Sequence, residues 1–153
     1  MKNEETAGRW RGDASILVIN DDDIRALLTK LLARYGAVHC AATVDEGMEL
    51  FQQSSPGIVF TDYEMPEKNG IECIRQMKSI QPQVNIVMLT GSATKELIAQ
   101  AKREGARECL EKPFSFSKIF ELANRYLATS AIESTLLPKA GQLLGAKRLS
   151  RAL

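Results

Sequence analysis

The chain has 153 residues, of which 44% are hydrophobic and 25% are charged, with 20 Lys plus Arg against 19 Asp plus Glu. A chain of this length normally forms one domain and buries about 70% of the surface that its unfolded form exposes, so it needs no disulfide or structural metal to fold. The formal charge of +1 excludes bulk attraction to nucleic acid or anionic lipid as the main determinant of partner choice.

Cysteine and histidine usage limits the metal chemistry. Cys40, Cys73 and Cys109 lie far apart and show no zinc-binding spacing, and a single histidine, His39, excludes a His-based metal site. The first residues lack the apolar stretch of a secretion signal, and no run approaches 18 consecutive apolar residues, so we expect no membrane span. A cytoplasmic location with reduced thiols is the simplest expectation.

Strand-sized apolar runs occur at five places along the chain. Four of them, at 16–19, 38–41, 58–60 and 86–89, are rich in β-branched residues, and a weaker fifth lies at 109–110. Their apolar character is continuous rather than alternating, which predicts strands covered on both faces, as in a parallel sheet between two layers of helices.

Helical patterns fill the segments between these runs. Apolar residues recur at helical spacing from Ile24 to Tyr35, and Gly36 follows as a stop signal. Thr43 stands three residues before Glu46, a capping-box pattern that predicts the start of the second helix. The other three helices are predicted from apolar residues at 71–80, 97–101 and 119–127. The alternation predicts an α/β fold, a doubly wound five-stranded parallel sheet with five helices.

Polar and charged residues follow four of the five runs. In chain order they are Asn20-Asp21-Asp22-Asp23, Thr61-Asp62, Thr90-Gly91-Ser92 and Glu111-Lys112-Pro113-Phe114. In a doubly wound sheet, active groups gather at the carboxyl ends of the strands. We therefore expect these side chains to converge at one edge of the sheet.

A convergence of carboxylates is costly without a cation. Two carboxylates about 4 Å apart repel by about 4 kcal/mol at an effective dielectric of about 20. Mg²⁺ removes that penalty, because it prefers a few carboxylate and carbonyl oxygens and shares its other positions with water and phosphate. Lys112 and Thr90 are suited to neutralise and hydrogen-bond the remaining oxygens of a phosphoryl group. The residues therefore predict a site that receives a phosphoryl group.

These motifs resemble those of the receiver domains of two-component response regulators. The resemblance covers about 15–128 and implies a flavodoxin-like sheet with strand order 2-1-3-4-5. It rests on four motifs in the family's order, at 16–21, at 59–66 followed by Gly70, at 87–91 and at 111–114.

The resemblance implies that Asp62 is the phosphoacceptor, which attacks the phospho-histidine of a sensor kinase. It implies a Mg²⁺ site formed by Asp21, by Asp62 and by the backbone carbonyl of Glu64. The family usually has two adjacent acids after strand one, whereas Asn20 takes the first place here. An amide oxygen can still hold a metal-bound water, so we expect weaker Mg²⁺ binding. A register that uses Asp21 and Asp22 instead is left open.

The resemblance also assigns roles at the other two strand ends. Lys112 is implied to pair with Asp62 and then with the phosphoryl group, and Pro113 to follow a cis peptide bond. Thr90 is implied to be the switch hydroxyl that moves toward the phosphoryl group, with Gly91 leaving space for the phosphoryl oxygens.

Two positions depart from the family pattern. Cys109 stands where the family often has an aromatic side chain that swings inward, so we expect activation to be transmitted through the loop after Thr90 and the helix at 94–104. Cys109 itself is interpreted as a small buried apolar residue. Glu64, two residues after the acceptor, either orients or repels the water that hydrolyses the acyl phosphate, or stays solvated.

The predicted organisation is a loose arm at 1–13, a receiver domain at 14–128 and a basic amphipathic tail at 129–153. Only 25 residues follow position 128, too few for a winged-helix or helix-turn-helix domain, so we expect neither an effector domain nor direct DNA binding. The tail is expected to dock on protein.

The expected function is that of a single-domain receiver, which catalyses only its own phosphorylation and dephosphorylation. Its expected partners are a sensor histidine kinase or phosphotransfer protein and a downstream protein target, and a phosphorylation-dependent dimer is left open. The alternative is a Mg²⁺-dependent phosphatase of the haloacid dehalogenase type. In that class the acidic pair follows the aspartate nucleophile, whereas Asn20-Asp21 precedes Asp62 here.

Overall fold

The computed structural model of the chain describes residues 14–20 and 23–136, with side chains as far as 128. Within these residues, strands and helices alternate along the chain. The strands are β1 (Ala14–Ile19), β2 (Gly36–Ala41), β3 (Ile58–Asp62), β4 (Ile86–Thr90) and β5 (Glu108–Glu111). The helices are α1 (Ile24–Leu32), α2 (Val44–Ser54), α3 (Gly70–Ile80), α4 (Lys95–Glu104) and α5 (Phe116–Leu136), and a 3₁₀ turn (Ala33–Tyr35) follows α1.

The strands form one parallel sheet in the order β2-β1-β3-β4-β5. The predicted α/β fold class and strand order are therefore confirmed. Every residue of β3 and β4 is buried, as are the last four residues of β1. This burial explains why the apolar runs in the sequence are continuous.

Successive residues of the central strands point into two different cores. Leu17 and Ile19 of β1 pack in the core beneath α2, α3 and α4, whereas Ile16 and Val18 pack in the core beneath α1 and α5. This alternation is the consequence of the two-residue period of a strand. The sheet is thus held from both sides, and its carboxyl edge is left open for polar groups.

Side-chain caps define the starts of α2 and α3. Thr43 Oγ1 accepts a hydrogen bond from the Glu46 N–H, as predicted, but the Glu46 carboxylate accepts from the N–H of Ala42 rather than from that of Thr43. A complete reciprocal capping box occurs at α3, between Asn69 and Glu72. The sequence pattern did not predict that second cap, because Asn69 takes the place of the Ser or Thr that is typical of the motif.

Gly36, interpreted as a helix stop signal, is also the first residue of β2. Its φ angle is +152°, and a Cβ atom there would lie 2.0 Å from the carbonyl oxygen of Ala14. The close approach of β2 to β1 therefore requires glycine at this position.

Helix α5 is longer than the periodicity at 119–127 predicts, since its backbone continues to Leu136, inside the segment predicted as a tail. The rest of that tail and the predicted arm at 1–13 lie outside the described residues. Among the helices that the structure describes, none is long and apolar enough to cross a membrane.

Candidate functional site

The carboxyl edge of the sheet brings together polar residues from separate strands. Asn20 follows β1, Asp62 ends β3 and Thr90 ends β4, and all three are at most 1% exposed. Asp62 pairs in register with Leu89, and Thr90 pairs with Glu111 at the end of β5. Parallel strand ends thus position side chains that are far apart in sequence, as the sequence analysis predicted for this edge.

Asp62 and Lys112 form an ion pair at the centre of this edge. Lys112 Nζ lies 3.0 Å from both carboxylate oxygens of Asp62, and it donates a hydrogen bond to Oδ2. Lys112 is held there because its N–H donates to the Thr90 carbonyl at 2.8 Å. A cis peptide bond joins Lys112 to Pro113. The cis bond is the one that the family resemblance implies.

Burial sets the protonation of the Asp62 carboxyl. It raises the pKa of Asp62 from 3.8 to about 6, against the lowering effect of the Lys112 ammonium and with a further raising effect of the Glu64 carboxylate. Oδ1 of Asp62 is buried and has no hydrogen bond within the described residues. Lys112 therefore compensates the buried carboxylate only in part, and an added cation would stabilise it further.

Glu64 and Thr90 are joined by a hydrogen bond that the sequence analysis did not predict. Thr90 Oγ1 donates to Glu64 Oε2 at 2.8 Å and accepts from the Ser92 N–H at 3.2 Å. Burial raises the pKa of Glu64, but hydrogen bonds from the Thr90 hydroxyl and from backbone N–H groups outweigh this effect and lower its pKa overall. Glu64 is thus held as an anion beside Asp62.

The loop after β3 is anchored by packing on both sides of Glu64. Tyr63 and Met65 are partly buried against the core, so the side chain between them is directed outward. Gly70 closes the loop, since its N–H donates to the Tyr63 carbonyl at 3.0 Å and a Cβ atom there would lie 2.6 Å from the Asp62 carbonyl oxygen. No sequence motif indicates that Glu64 reaches β4, because the contact spans two strands.

The described donors suit Mg²⁺ chemically. The buried Oδ1 of Asp62, the amide of Asn20 and the backbone carbonyl of Glu64 are hard oxygen donors, the type that Mg²⁺ prefers. Asp21 and Asp22, the predicted acidic ligands, lie outside the described residues. Among the residues that the structure describes, no group of three or more His, Cys, Asp and Glu side chains forms a metal-binding cluster.

Two other side chains near this edge have structural contacts. Cys109 is half-buried and packs against the core, and burial raises the pKa of its thiol. These contacts agree with its interpretation as a small apolar residue. Arg25, which the sequence analysis did not single out, donates to the Asn20 carbonyl at 3.2 Å and so joins the start of α1 to the end of β1. No hydrophobic or charge pattern predicts that bond.

A buried carboxyl paired with lysine, at the carboxyl edge of a sheet ordered 2-1-3-4-5, defines the class of receiver-type α/β domains. The family model described as "Response regulator receiver domain" matches residues 16–124. The chain therefore belongs to the response regulator receiver family, as its motifs indicated. The family match gives no support to the phosphatase alternative.

The relatives include both short and long proteins. The chain is 32% identical over 133 residues to the DNA-binding transcriptional regulator NtrC of Azospirillum brasilense, covering 84% of this chain and 27% of that protein. It is 27% identical to the chemotaxis protein CheY of Thermotoga maritima, covering 72% of this chain and 94% of that protein. The chain thus spans about a quarter of the first relative and nearly all of the second.

Solved structures share the fold. A response regulator receiver domain protein from Clostridium thermocellum superimposes with a TM-score of 0.72 at 30% identity, covering 78% of this chain and 98% of that one. NtrX from Brucella abortus gives a TM-score of 0.73 at 28% identity, covering 80% of this chain and 28% of that one. The same domain therefore occurs in proteins of very different length.

Proposed function

We propose that Asp62 accepts a phosphoryl group from the phospho-histidine of a sensor kinase or phosphotransfer protein, with Mg²⁺ as cofactor. The observation that carries this proposal is the contact between Lys112 Nζ and both oxygens of the buried Asp62 carboxylate at 3.0 Å. A carboxylate oxygen attacks phosphorus, the P–N bond to histidine breaks, and an aspartyl phosphate forms.

The chain's own residues supply orientation and charge for this transfer. Lys112 holds the carboxylate in place and then neutralises an oxygen of the transferred group, because its ammonium lies within hydrogen-bonding distance of both Asp62 oxygens. When bound, Mg²⁺ supplies positive charge to the acceptor and the phosphoryl oxygens. We propose that Mg²⁺ is held by Asn20, Asp62 and the backbone carbonyl of Glu64, which the structure describes. Asp21, which lies outside the described residues, is the proposed acidic ligand.

The proposed output is a change in the surface formed by the loop after β4 and by α4. Thr90 is the switch hydroxyl, and its bond to the Ser92 N–H couples any movement of that hydroxyl to this loop. Cys109 stands where the family often has an aromatic residue, and it is too small to swing inward when Thr90 moves. We therefore propose that α4 and the loop before it transmit the change to the surface. The partner on this surface is a downstream protein or a second copy of the chain.

We further propose that the chain works as a single-domain cytoplasmic receiver without direct DNA binding. It modifies only itself and turns over no external substrate. The near-complete coverage of the CheY relative supports this proposal, and the partial coverage of the NtrC relative leaves a regulator with an output domain as the second candidate.

Incubation of the full chain with acetyl phosphate and Mg²⁺, followed by intact mass measurement, tests the acceptor. We expect one phosphoryl adduct on the wild type and none on Asp62→Asn. The matched control is Asp45→Asn, an exposed aspartate paired with Lys68, which should accept the group like the wild type. An adduct on Asp62→Asn, or none on the wild type, would overturn the proposal.

A further inference from the structure

The contact between Glu64 and Thr90 uses the full donor capacity of the Thr90 hydroxyl. Thr90 is completely buried, and its Oγ1 donates to Glu64 Oε2 at 2.8 Å while accepting from the Ser92 N–H at 3.2 Å. A hydroxyl has a single proton. Thr90 therefore cannot donate to Glu64 and to a phosphoryl oxygen on Asp62 at the same time.

Charge repulsion also separates the state in which Thr90 donates to Glu64 from the state in which it donates to a phosphoryl oxygen. A phosphoryl group on Asp62 carries about two negative charges in place of the single charge of the carboxylate, and Glu64 is an exposed carboxylate only two residues away along the chain. Like charges at this range repel. The phosphoryl group therefore competes with Glu64 for the Thr90 proton and also repels the carboxylate that holds it.

We propose that Glu64 is a positioning residue that holds the Thr90 hydroxyl in the unphosphorylated protein, so that phosphorylation must break the Glu64–Thr90 hydrogen bond before Thr90 reaches the phosphoryl group. This inference rests on the proposed role of Asp62 as phosphoacceptor. The Glu64–Thr90 bond then opposes both the modification and the change of surface that follows it.

Both residues of the Glu64–Thr90 hydrogen bond are connected to neighbouring elements, so breaking this bond affects those elements. The backbone of Glu64 is anchored by Tyr63 and Met65, which pack against the core. On the other side, Ser92 donates to the Thr90 hydroxyl, and its carbonyl accepts from the N–H of Thr94, the N-cap residue of α4. Release of Thr90 by Glu64 therefore acts directly on the loop that leads into α4.

The bond and the modification are linked thermodynamically. A contact that exists only in the resting state lowers the population of the phosphorylation-competent state, and removing it raises that population by the same factor. One typical hydrogen bond corresponds to about fivefold in an equilibrium constant. We therefore expect variants without the bond to be phosphorylated about fivefold faster.

Three substitutions of Glu64 separate the hydrogen bond from simple charge repulsion. Glu64→Asp keeps the charge but is one methylene too short to reach Thr90, Glu64→Gln keeps the reach and an acceptor oxygen but loses the charge, and Glu64→Ala loses both. Because Glu64 is exposed, all three variants should fold. Each full-length variant is incubated with acetyl phosphate and Mg²⁺, and the initial rate of adduct formation is measured by intact mass.

The rate order decides between the two explanations. If Glu64 acts through the bond, Glu64→Asp and Glu64→Ala are both about fivefold faster than the wild type, and Glu64→Gln stays within about twofold of it. If the carboxylate only repels the phosphodonor, Glu64→Gln and Glu64→Ala are fast and Glu64→Asp is not. That second order, or equal rates in all four proteins, would overturn the proposal.

A second measurement needs no phosphorylation. The Thr90 methyl signal of threonine-labelled, metal-free protein is assigned by its loss in Thr90→Val. We expect it to move in Glu64→Asp and Glu64→Ala but to stay near the wild-type position in Glu64→Gln. An unmoved signal in all variants would overturn the proposal even if Asp62 is phosphorylated. A chain that takes no phosphoryl group would instead overturn the acceptor role, while the methyl signal still decides whether Glu64 holds Thr90.

Discussion

The two ends of the sheet both bury polar side chains, but they satisfy them very differently. At the amino end, before β4, Asn85 is 4% exposed and uses all its hydrogen-bonding groups, since its amide donates to the carbonyls of Gly57 and Tyr126 and its oxygen accepts from Arg107. At the carboxyl end, Oδ1 of Asp62 is buried, and among the residues that the structure describes its close polar contact is the ion pair with Lys112 at 3.0 Å, with no hydrogen bond. A saturated polar group stabilises a fold, whereas an incompletely satisfied carboxylate remains available for chemistry.

The amino end is therefore a structural junction of three elements. Asn85 joins the loop before β3 through the Gly57 carbonyl, the segment before β5 through Arg107, and α5 through the Tyr126 carbonyl. Arg107 and Arg125 also lie over the Tyr126 ring, at 6.0 and 5.7 Å from its centroid. None of these groups lies at the edge that holds Asp62, so the saturated polar contacts and the proposed reactive site are at opposite ends of the same strands.

The largest expected effect is at the reactive end. Lys112→Ala removes the ammonium group that pairs with Asp62, and loss of one preorganised charge donor typically costs about 100-fold in rate. We expect the initial rate of phosphorylation by acetyl phosphate to fall by about that factor, measured by intact mass. The control is Lys118→Ala, an exposed lysine near Glu121, and a rate equal to that of this control would contradict the role of Lys112.

The second prediction concerns the saturated end. Asn85→Ala leaves the carbonyls of Gly57 and Tyr126 without their side-chain donor, so we expect a loss of about 2 kcal/mol in the free energy of unfolding. Urea unfolding measures this loss. The rate of phosphorylation of the folded variant should stay within about twofold of the wild type; a larger change would show that the two ends are coupled.

The smallest predicted effect is an increase in the free energy of unfolding, opposite to the loss expected for Asn85→Ala. Burial raises the pKa of Asp62 to about 6, so its charged form destabilises the fold at neutral pH, and we expect the metal-free Asp62→Asn protein to be more stable by about 1 kcal/mol. The comparison is Asp45→Asn, whose partner Lys68 is exposed and which should change stability by less than about 0.5 kcal/mol. A destabilised Asp62→Asn would mean that Asp62 supports the fold as Asn85 does.

Much of the fold could be predicted from local patterns. The runs in β1, β3 and β4 are continuous because each strand is covered on both faces, and that double burial is visible in the residues themselves. The edge strand β5 was harder to detect, since its four residues are only partly buried or exposed. The Asn85 junction has no local pattern, because its partners come from three separate segments of the chain.

The candidate site divides in the same way. Asp62, Thr90 and Lys112 could be predicted as site residues because each lies within two residues of the end of an apolar run, and parallel strands bring such positions to one edge. The length of α5 could not be predicted from the sequence. The apolar spacing that marks a buried helix face extends only to 127, whereas the helix continues to Leu136.

By itself, the sequence determined the order of strands and helices, the edge at which the polar groups gather and the family to which the chain belongs, because these depend on periodicity and on motifs of adjacent residues. The family resemblance also implied that Lys112 pairs with Asp62, but only the tertiary structure decided the geometry of that pair and the contact between Thr90 and Glu64. The 3.0 Å contact between Lys112 and Asp62 and the bond from Thr90 to Glu64 join residues 50 and 26 positions apart. Such contacts depend on register and side-chain direction across neighbouring strands, which no local pattern encodes.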